Sequence, residues 1–425
     1  MHLFFFLIVI VALSCGSLPP ADIPIAEAAG ATVMMVAAWI LLSHVGARMC
    51  AIQVRRENID PVLGADLLEK QLGIFRWLSL GISVLCLAGF GLARTLDSIP
   101  LLEQSMFLKS LILVAPGIAM TVGTWSAEHC YGAMLGYTDR SIRTYVRAVW
   151  HLFRGGIGWL VAPVLLLLGF SDLIGLLPIS SEASGAISAV MIILFVALGL
   201  PMLIRRLFKT QPLSESDDAW VRDLMNAVGL GRTGAVRWDT GGRTFNAMVA
   251  GFVPPLRTLL LSDRLVDDLP REQIAMVVLH EAAHLRRRHV PLRMLSILPA
   301  WGCGALTSRL MGEQSWSVAA GSVVGILMTM IILRLVAYRT EYDADVQACE
   351  LAEKMAGSVE HVPVTYEAAA ESLSSALMRV TFDHPSGRKP TWLHPGVADR
   401  VDWMRRQREV PANNRASAGT MANPA

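Results

Sequence analysis

Eight runs of almost unbroken apolar residues partition the chain, at about 3–18, 30–50, 77–96, 106–125, 156–178, 185–204, 292–311 and 316–336. Each is close to the ~20 residues a helix needs to cross a hydrocarbon core about 30 Å thick, so the pattern predicts about eight transmembrane helices. Two polar stretches stand apart from them, 206–291 and everything after 337. In the first, Ser214-Glu-Ser-Asp-Asp218 reads as a helix start leading into Trp220–Val228, which Gly229-Leu-Gly231 ends. Short β-type runs follow at 234–238, 244–250 and 256–261, separated by Gly241-Gly242 and Pro254-Pro255, which predicts a small sheet. Leu269-Pro270-Arg271-Glu272 then opens a helix whose Ile274, Val277, Val278 and Leu285 form an apolar stripe. After the eighth run a polar helix start around Glu341 leads to about Met355, a loop covers Gly357–Pro363, and another helix covers Tyr366–Val380. From Arg405 the composition turns to Pro, Asn, Ala and Ser, the signature of a disordered tail.

The expected fold is therefore mainly α: a polytopic membrane helical protein with a polar domain containing a small β-sheet. Its parts are a six-helix membrane domain over 1–205, a polar block over 206–291, a transmembrane hairpin over 292–336, a second polar block over 337–404 and a tail over 405–425. Composition agrees, since 53% hydrophobic and 17% charged residues with a mean hydropathy of +0.48 are too apolar for a soluble chain of 425 residues. Lys and Arg then set the orientation. Five lie between Arg48 and Arg76, four between Arg140 and Arg154, and Arg205, Arg206 and Lys209 follow the sixth run, while 19–29 and 171–184 carry none. By the positive-inside rule the N-terminus and both polar blocks face the cytoplasm, which implies a bacterial inner membrane. The first run has no Lys or Arg before it and reads as an uncleaved helix rather than a signal peptide. Cys15, Cys50, Cys86, Cys130, Cys303 and Cys349 show no C-x-x-C spacing, and most fall in apolar runs where they serve as packing residues. A net charge of +2 gives no footprint for nucleic acid.

The chemistry is concentrated in His280-Glu281-Ala282-Ala283-His284. On a helix, residues four apart share a face, so His280 and His284 can hold one metal ion with Glu281 beside it as a general base. Zinc suits such a pair, because it lowers the pKa of a bound water to about 7. Two imidazoles leave a catalytic zinc short of a ligand. Glu341 is the best third candidate, and Asp345 shares its face at i,i+4, where it can orient a ligating imidazole; Asp343 points elsewhere. The two apolar runs between His289 and Glu341 form a hairpin that returns the chain to the same side, placing the site at the membrane surface. Arg286-Arg287-Arg288 reads as the edge of a helix entering the bilayer, with side chains snorkelling toward phosphates. A strand edge in the small sheet can hold an extended peptide by its main chain.

These residues resemble the integral-membrane zinc metalloproteases that include the CAAX prenyl proteases and the bacterial heat-shock protease HtpX. The resemblance rests on the His-Glu-x-x-His pair, on Glu341-Tyr-Asp-Ala-Asp345, on Asn246-Ala-Met-Val-Ala250 and on His394-Pro-Gly-Val-Ala-Asp-Arg400, and it covers about 235–405. It implies one zinc per chain on His280, His284 and Glu341, with Glu281 as base, and peptide or membrane-protein substrates met at the lipid bilayer. It further implies that Asn246 contacts substrate or the oxyanion and that His394 stabilises the transition state. Of the two His-Pro pairs, at His384 and His394, only the second has the Arg at the family's spacing; Arg400 is expected to pair with a carboxylate. Two other readings fit the motif: a sensor-transducer metalloprotease of the antibiotic-receptor kind, which the short outer loops disfavour, and a scaffold with a structural zinc, which has no use for Glu281.

Overall fold

The computed structural model describes residues 2–242, 244–251, 253–312, 316–381 and 388–408. The expected tail beyond Arg408, the tip of the hairpin and His384 lie outside the described residues. Six described helices have the length and hydropathy to cross a bilayer: Ile25–Arg55, Pro61–Ser98, Met106–Leu135, Ile142–Gly175, Ser181–Leu207 and Ser317–Lys354. The chain is thus a multi-pass membrane protein. The other two apolar runs give shorter helices, His2–Cys15 with 14 residues and Leu298–Leu310 with 13. In the second case the run at 292–311 is broken into His289–Leu295 and Leu298–Leu310. Pro299 explains the break, because it has no N–H to donate to the Leu295 carbonyl and its ring crowds that carbonyl.

Helix starts are satisfied by the side chains the sequence puts there. Asp60 accepts from the Val62 amide at 2.8 Å ahead of Pro61, and Asp172 accepts from the Met106 and Phe107 amides, both at 2.9 Å, at the head of the following helix. The hairpin arms meet through Gly321, where a Cβ would fall 2.0 Å from Ser308 Oγ and 2.5 Å from the Gly304 carbonyl, so only glycine allows the approach.

Contacts divide the chain into two compact units, Met1–Ile193 with Gly304–Val324 and Leu194–Cys303 with Gly325–Ala425. The second unit holds a four-stranded sheet made of β1 (Thr210–Gln211), β2 (Gly234–Trp238), β3 (Ala247–Ala250) and β4 (Thr258–Ser262), in the order β1-β2-β4-β3. β2 and β4 run parallel with Val236 opposite Leu260, whereas β3 lies antiparallel to β4 with Val249 opposite Leu259. β4 is buried along its whole length, as an internal strand of Thr-Leu-Leu-Leu-Ser should be, and β3 is an edge. The run expected at 256–261 forms β4, which begins at Thr258 because Pro254–Leu256 winds into a 3-10 turn. β1 is a two-residue strand that no periodicity announces.

The stretch around Glu341 departs from expectation. It starts no new helix: Ser317–Lys354 is one helix of 38 residues that carries Glu341 in its interior. Nothing between Val336 and Glu341 is Gly or Pro, so the apolar helix continues without interruption into the polar block. Its inner face there is Ala344, Ala348 and Ala352, all fully buried in the same core as Ala282 and Ala283 of helix Arg271–Arg286. Alanine at these positions lets backbones come close and brings their longer polar neighbours together.

Candidate metal centre

Helix Arg271–Arg286 supplies His280, Glu281 and His284, and the long helix supplies Glu341. His280 Nε2 and His284 Nε2 are 3.2 Å apart, His284 Nε2 lies 3.4 Å from Glu341 Oε1, and His280 Nε2 lies 3.7 Å from Glu341 Oε2. Ligands placed about 2.1 Å from a tetrahedral zinc are separated by about 3.4 Å, so these spacings fit that ion. The three residues form one group able to hold a metal, and His280 and Glu341 are buried.

Both imidazoles are supported from behind. His280 Nδ1 lies 2.9 Å from Asp345 Oδ1, close but angled off a straight hydrogen bond. Asp345 is fully buried and accepts a two-pronged contact from Arg400, with Nη2 at 2.6 Å and Nε at 2.8 Å. His284 has a longer relay, which the sequence reading missed. Its Nδ1 lies 2.9 Å from His289 Nδ1, and His289 Nε2 lies 3.0 Å from Asp343 Oδ2. Arg287 Nη2 in turn donates to Asp343 Oδ1 at 3.0 Å. Arg288 makes this possible: its φ of 55° reverses the chain after the helix and folds His289 back onto His284. Asp343, expected to point elsewhere, bonds His289 and Arg287 and has no hydrogen bond to His280, His284 or Glu341 among the described residues.

Glu341 is the most crowded group in the site. Arg293 Nη2 lies 2.8 Å from its Oε1, while His394 Nδ1 at 3.1 Å and Arg400 Nη1 at 3.7 Å approach Oε2. Arg293 was also missed; it comes from the segment after the break at 286–288, and it donates to Thr340 Oγ1 as well. His394 keeps 56% of its side chain exposed, so it stands at the rim. Its loop is tied to the long helix by Tyr338 Oη donating to the Thr391 carbonyl at 2.6 Å and by Trp392 Nε1 donating to the Met330 carbonyl at 3.1 Å. Asn246 sits one residue before β3, its N–H donating to Ser262 Oγ and its carbonyl accepting from the Ser262 N–H, both at 2.9 Å, and β3 packs on helix Arg271–Arg286. Its contacts run to the sheet rather than to the three ligands.

Burial sets the charges on the first helix. It pushes the Glu281 carboxyl from the ordinary 4.5 up to about 7, with Glu341 adding to the rise and His280 opposing it. It pushes the His284 imidazole down to about 4, so that ring is neutral and ready to coordinate at pH 7. For His280 burial works in the same direction, but the Asp345 carboxylate outweighs it and holds the ring above the ordinary 6.5.

A family model described as Peptidase family M48 matches residues 216–408. A crystal structure of Ste24p from S. mikatae aligns over 91% of this chain and 99% of that chain, at 15% sequence identity and a TM-score of 0.34. No curated protein matches the chain. His280, Glu281, His284, Glu341, Asp345, His394 and Arg400 all fall within the matched stretch, so the part of the chain that is similar to peptidase family M48 is the part that holds the candidate metal centre.

Proposed function

We propose that this chain is a membrane-embedded zinc endopeptidase that cleaves membrane-associated or misfolded membrane proteins, with its single zinc on the cytoplasmic side. The observation that carries the reading is the donor set itself, three atoms at zinc spacing with a carboxyl of raised pKa next to them on the same helix. A zinc ion held by His280, His284 and Glu341 supplies Lewis acidity and brings the pKa of a water to about 7. Glu281 takes the proton from the attacking water and returns it to the leaving amine. His394, at the rim, donates an N–H toward the oxygen on which charge gathers. Asp345 fixes the His280 ring, and Arg400 fixes Asp345. The free edge of β3 binds an extended substrate by its main chain, with Asn246 at the start of that edge.

The test is zinc content measured together with cleavage of a generic unfolded membrane protein in detergent. One zinc per chain with cleavage that a chelator stops and zinc restores is the expected result. Zinc present without cleavage would instead support a structural metal.

The relay behind His284 gives a further expectation. Neutral His284 coordinating through Nε2 has its proton on Nδ1, which donates to His289 Nδ1, leaving His289 Nε2–H to donate to Asp343. His289→Ala should speed transfer of zinc to a chelator by about 10–100-fold, the usual effect of losing a group that orients a ligand. His289→Asn, whose amide oxygen can take the place of Nδ1, should recover part of the loss. Equal zinc retention in wild type and His289→Ala would remove the relay from the account.

A further inference from the structure

The candidate span Ile142–Gly175 is too long for a membrane. Its 34 residues make about 51 Å of helix, against a hydrocarbon core of about 30 Å. Its apolar part is the end that begins near Gly156; the first part, Ile142–Phe153, is strongly two-sided. Ile142, Val146 and Trp150 are 80%, 56% and 56% exposed, each four residues from the next, and so form one bare apolar stripe. Arg143, Arg147 and His151 form a parallel exposed stripe one residue further round. The remaining face is the one that packs inward: Tyr145 meets His129 edge-on at 5.5 Å, and Leu152 and Phe153 join a buried cluster around Phe5, Trp125 and Ile157. Neither Arg143 nor Arg147 has an ion pair among the described residues, and Ile142–Phe153 contains no Asp or Glu.

These stripes fix a depth. Arg143 and Arg147 cannot sit in hydrocarbon without a large cost, while Ile142, Val146 and Trp150 gain nothing from water. Both are satisfied only at the headgroup level, where Trp is favoured and Arg meets phosphate. Between the two parts lies Arg154–Gly158, wound as a π-helix and containing Gly155-Gly156, the kind of segment at which a helix changes direction. Ser141 Oγ accepts from the Thr144 amide at 3.2 Å, so the two-sided part has its own capped start.

We propose that Ile142–Phe153 is an interfacial helix that binds anionic phospholipid headgroups, with Arg143 and Arg147 on the phosphates and Ile142, Val146 and Trp150 in the boundary below them. The occupant is the bilayer surface rather than a protein, because the apolar and basic stripes lie side by side, as a planar interface requires. This inference does not depend on the peptidase reading. The test uses the full chain in nanodiscs of phosphatidylcholine, with or without phosphatidylglycerol, and hydrogen exchange of residues 142–153. Exchange there should slow roughly tenfold or more when phosphatidylglycerol is present, since each Arg near an anionic surface gains about fivefold. Arg143→Gln with Arg147→Gln should abolish the difference, and the double change to Lys should keep it. Thermal stability of the Gln pair in phosphatidylcholine checks that it folds as wild type does. Equal exchange in the two lipids for wild type, or a difference that survives in the Gln pair, would overturn the proposal. Slow exchange indifferent to lipid would also do so, since it would place this face against protein.

Discussion

Glu281→Gln should lower kcat/KM by at least about 10³-fold, within the range that a positioned general base contributes, and leave zinc at one per chain. Gln has nearly the same shape as Glu but accepts no proton, so the water loses its base and the leaving amine loses its acid in one change. Zinc retention is expected because the three donor atoms come from His280, His284 and Glu341 and none from Glu281. The pH profile gives the same assignment a second handle. The base must be ionised to act, and burial holds its pKa up at about 7 in the metal-free chain, against the ordinary 4.5. A bound cation pulls that value back down, so the acidic limb of kcat/KM should lie between those two values, with activity falling as pH drops through it. Stability runs the other way. A raised carboxyl pKa favours the folded metal-free chain below 4.5 and loses that contribution as pH rises through about 7, and Glu281→Gln should flatten this dependence. Wild-type turnover in the Gln variant would move the base to another group.

Much of this site is legible along the chain because it obeys helix periodicity. His280 and His284 repeat at four, as do Glu341 and Asp345, and a spacing of four on a helix fixes a shared face wherever the helix goes. Arg400 is legible as a cation in need of a carboxylate, and the structure gives it Asp345. What cannot be read is anything that depends on how the chain turns between elements. His289 reaches His284 only because Arg288 adopts a left-handed conformation, which the sequence Arg-Arg-Arg-His does not signal. Arg293 reaches Glu341 through the same turn, because the helix His289–Leu295 that carries it begins there. Asp343 has no visible role until His289 has been placed. The small sheet follows the same division: three strands emerge from their β-branched and leucine-rich runs, whereas β1 pairs through two residues with no pattern of their own. Helix count also follows it, since hydropathy finds apolar runs but cannot tell that two of the eight form helices of 14 and 13 residues.

Glu341→Ala should lose zinc altogether under conditions where wild type keeps one per chain, a larger effect than the 10–100-fold of a supporting residue. Two imidazoles 3.2 Å apart remain, but the carboxylate that completes the set is gone, and with it the only negative charge placed against both rings' Nε2 atoms among the described residues. The change also strips partners from cations. Arg400 keeps Asp345 at 2.6 Å, whereas among the described residues Arg293 keeps only the Thr340 hydroxyl and the Ala337 carbonyl. Removing one member of a buried ion pair costs about 3–5 kcal/mol, and since 22% of the Arg293 side chain is exposed the cost here should be a fraction of that. The two effects separate when the proteins are compared without metal: Glu341→Ala should melt below metal-free wild type, and Arg293→Met combined with Glu341→Ala should regain part of the difference because no cation is then left unpaired. Zinc held at full stoichiometry by Glu341→Ala would assign the third ligand to another oxygen or nitrogen of the site, such as His394 Nδ1, which lies 3.1 Å from Glu341 Oε2. Glu341 would then be the counter-ion of Arg293, and its effect on melting would persist while its effect on metal would vanish.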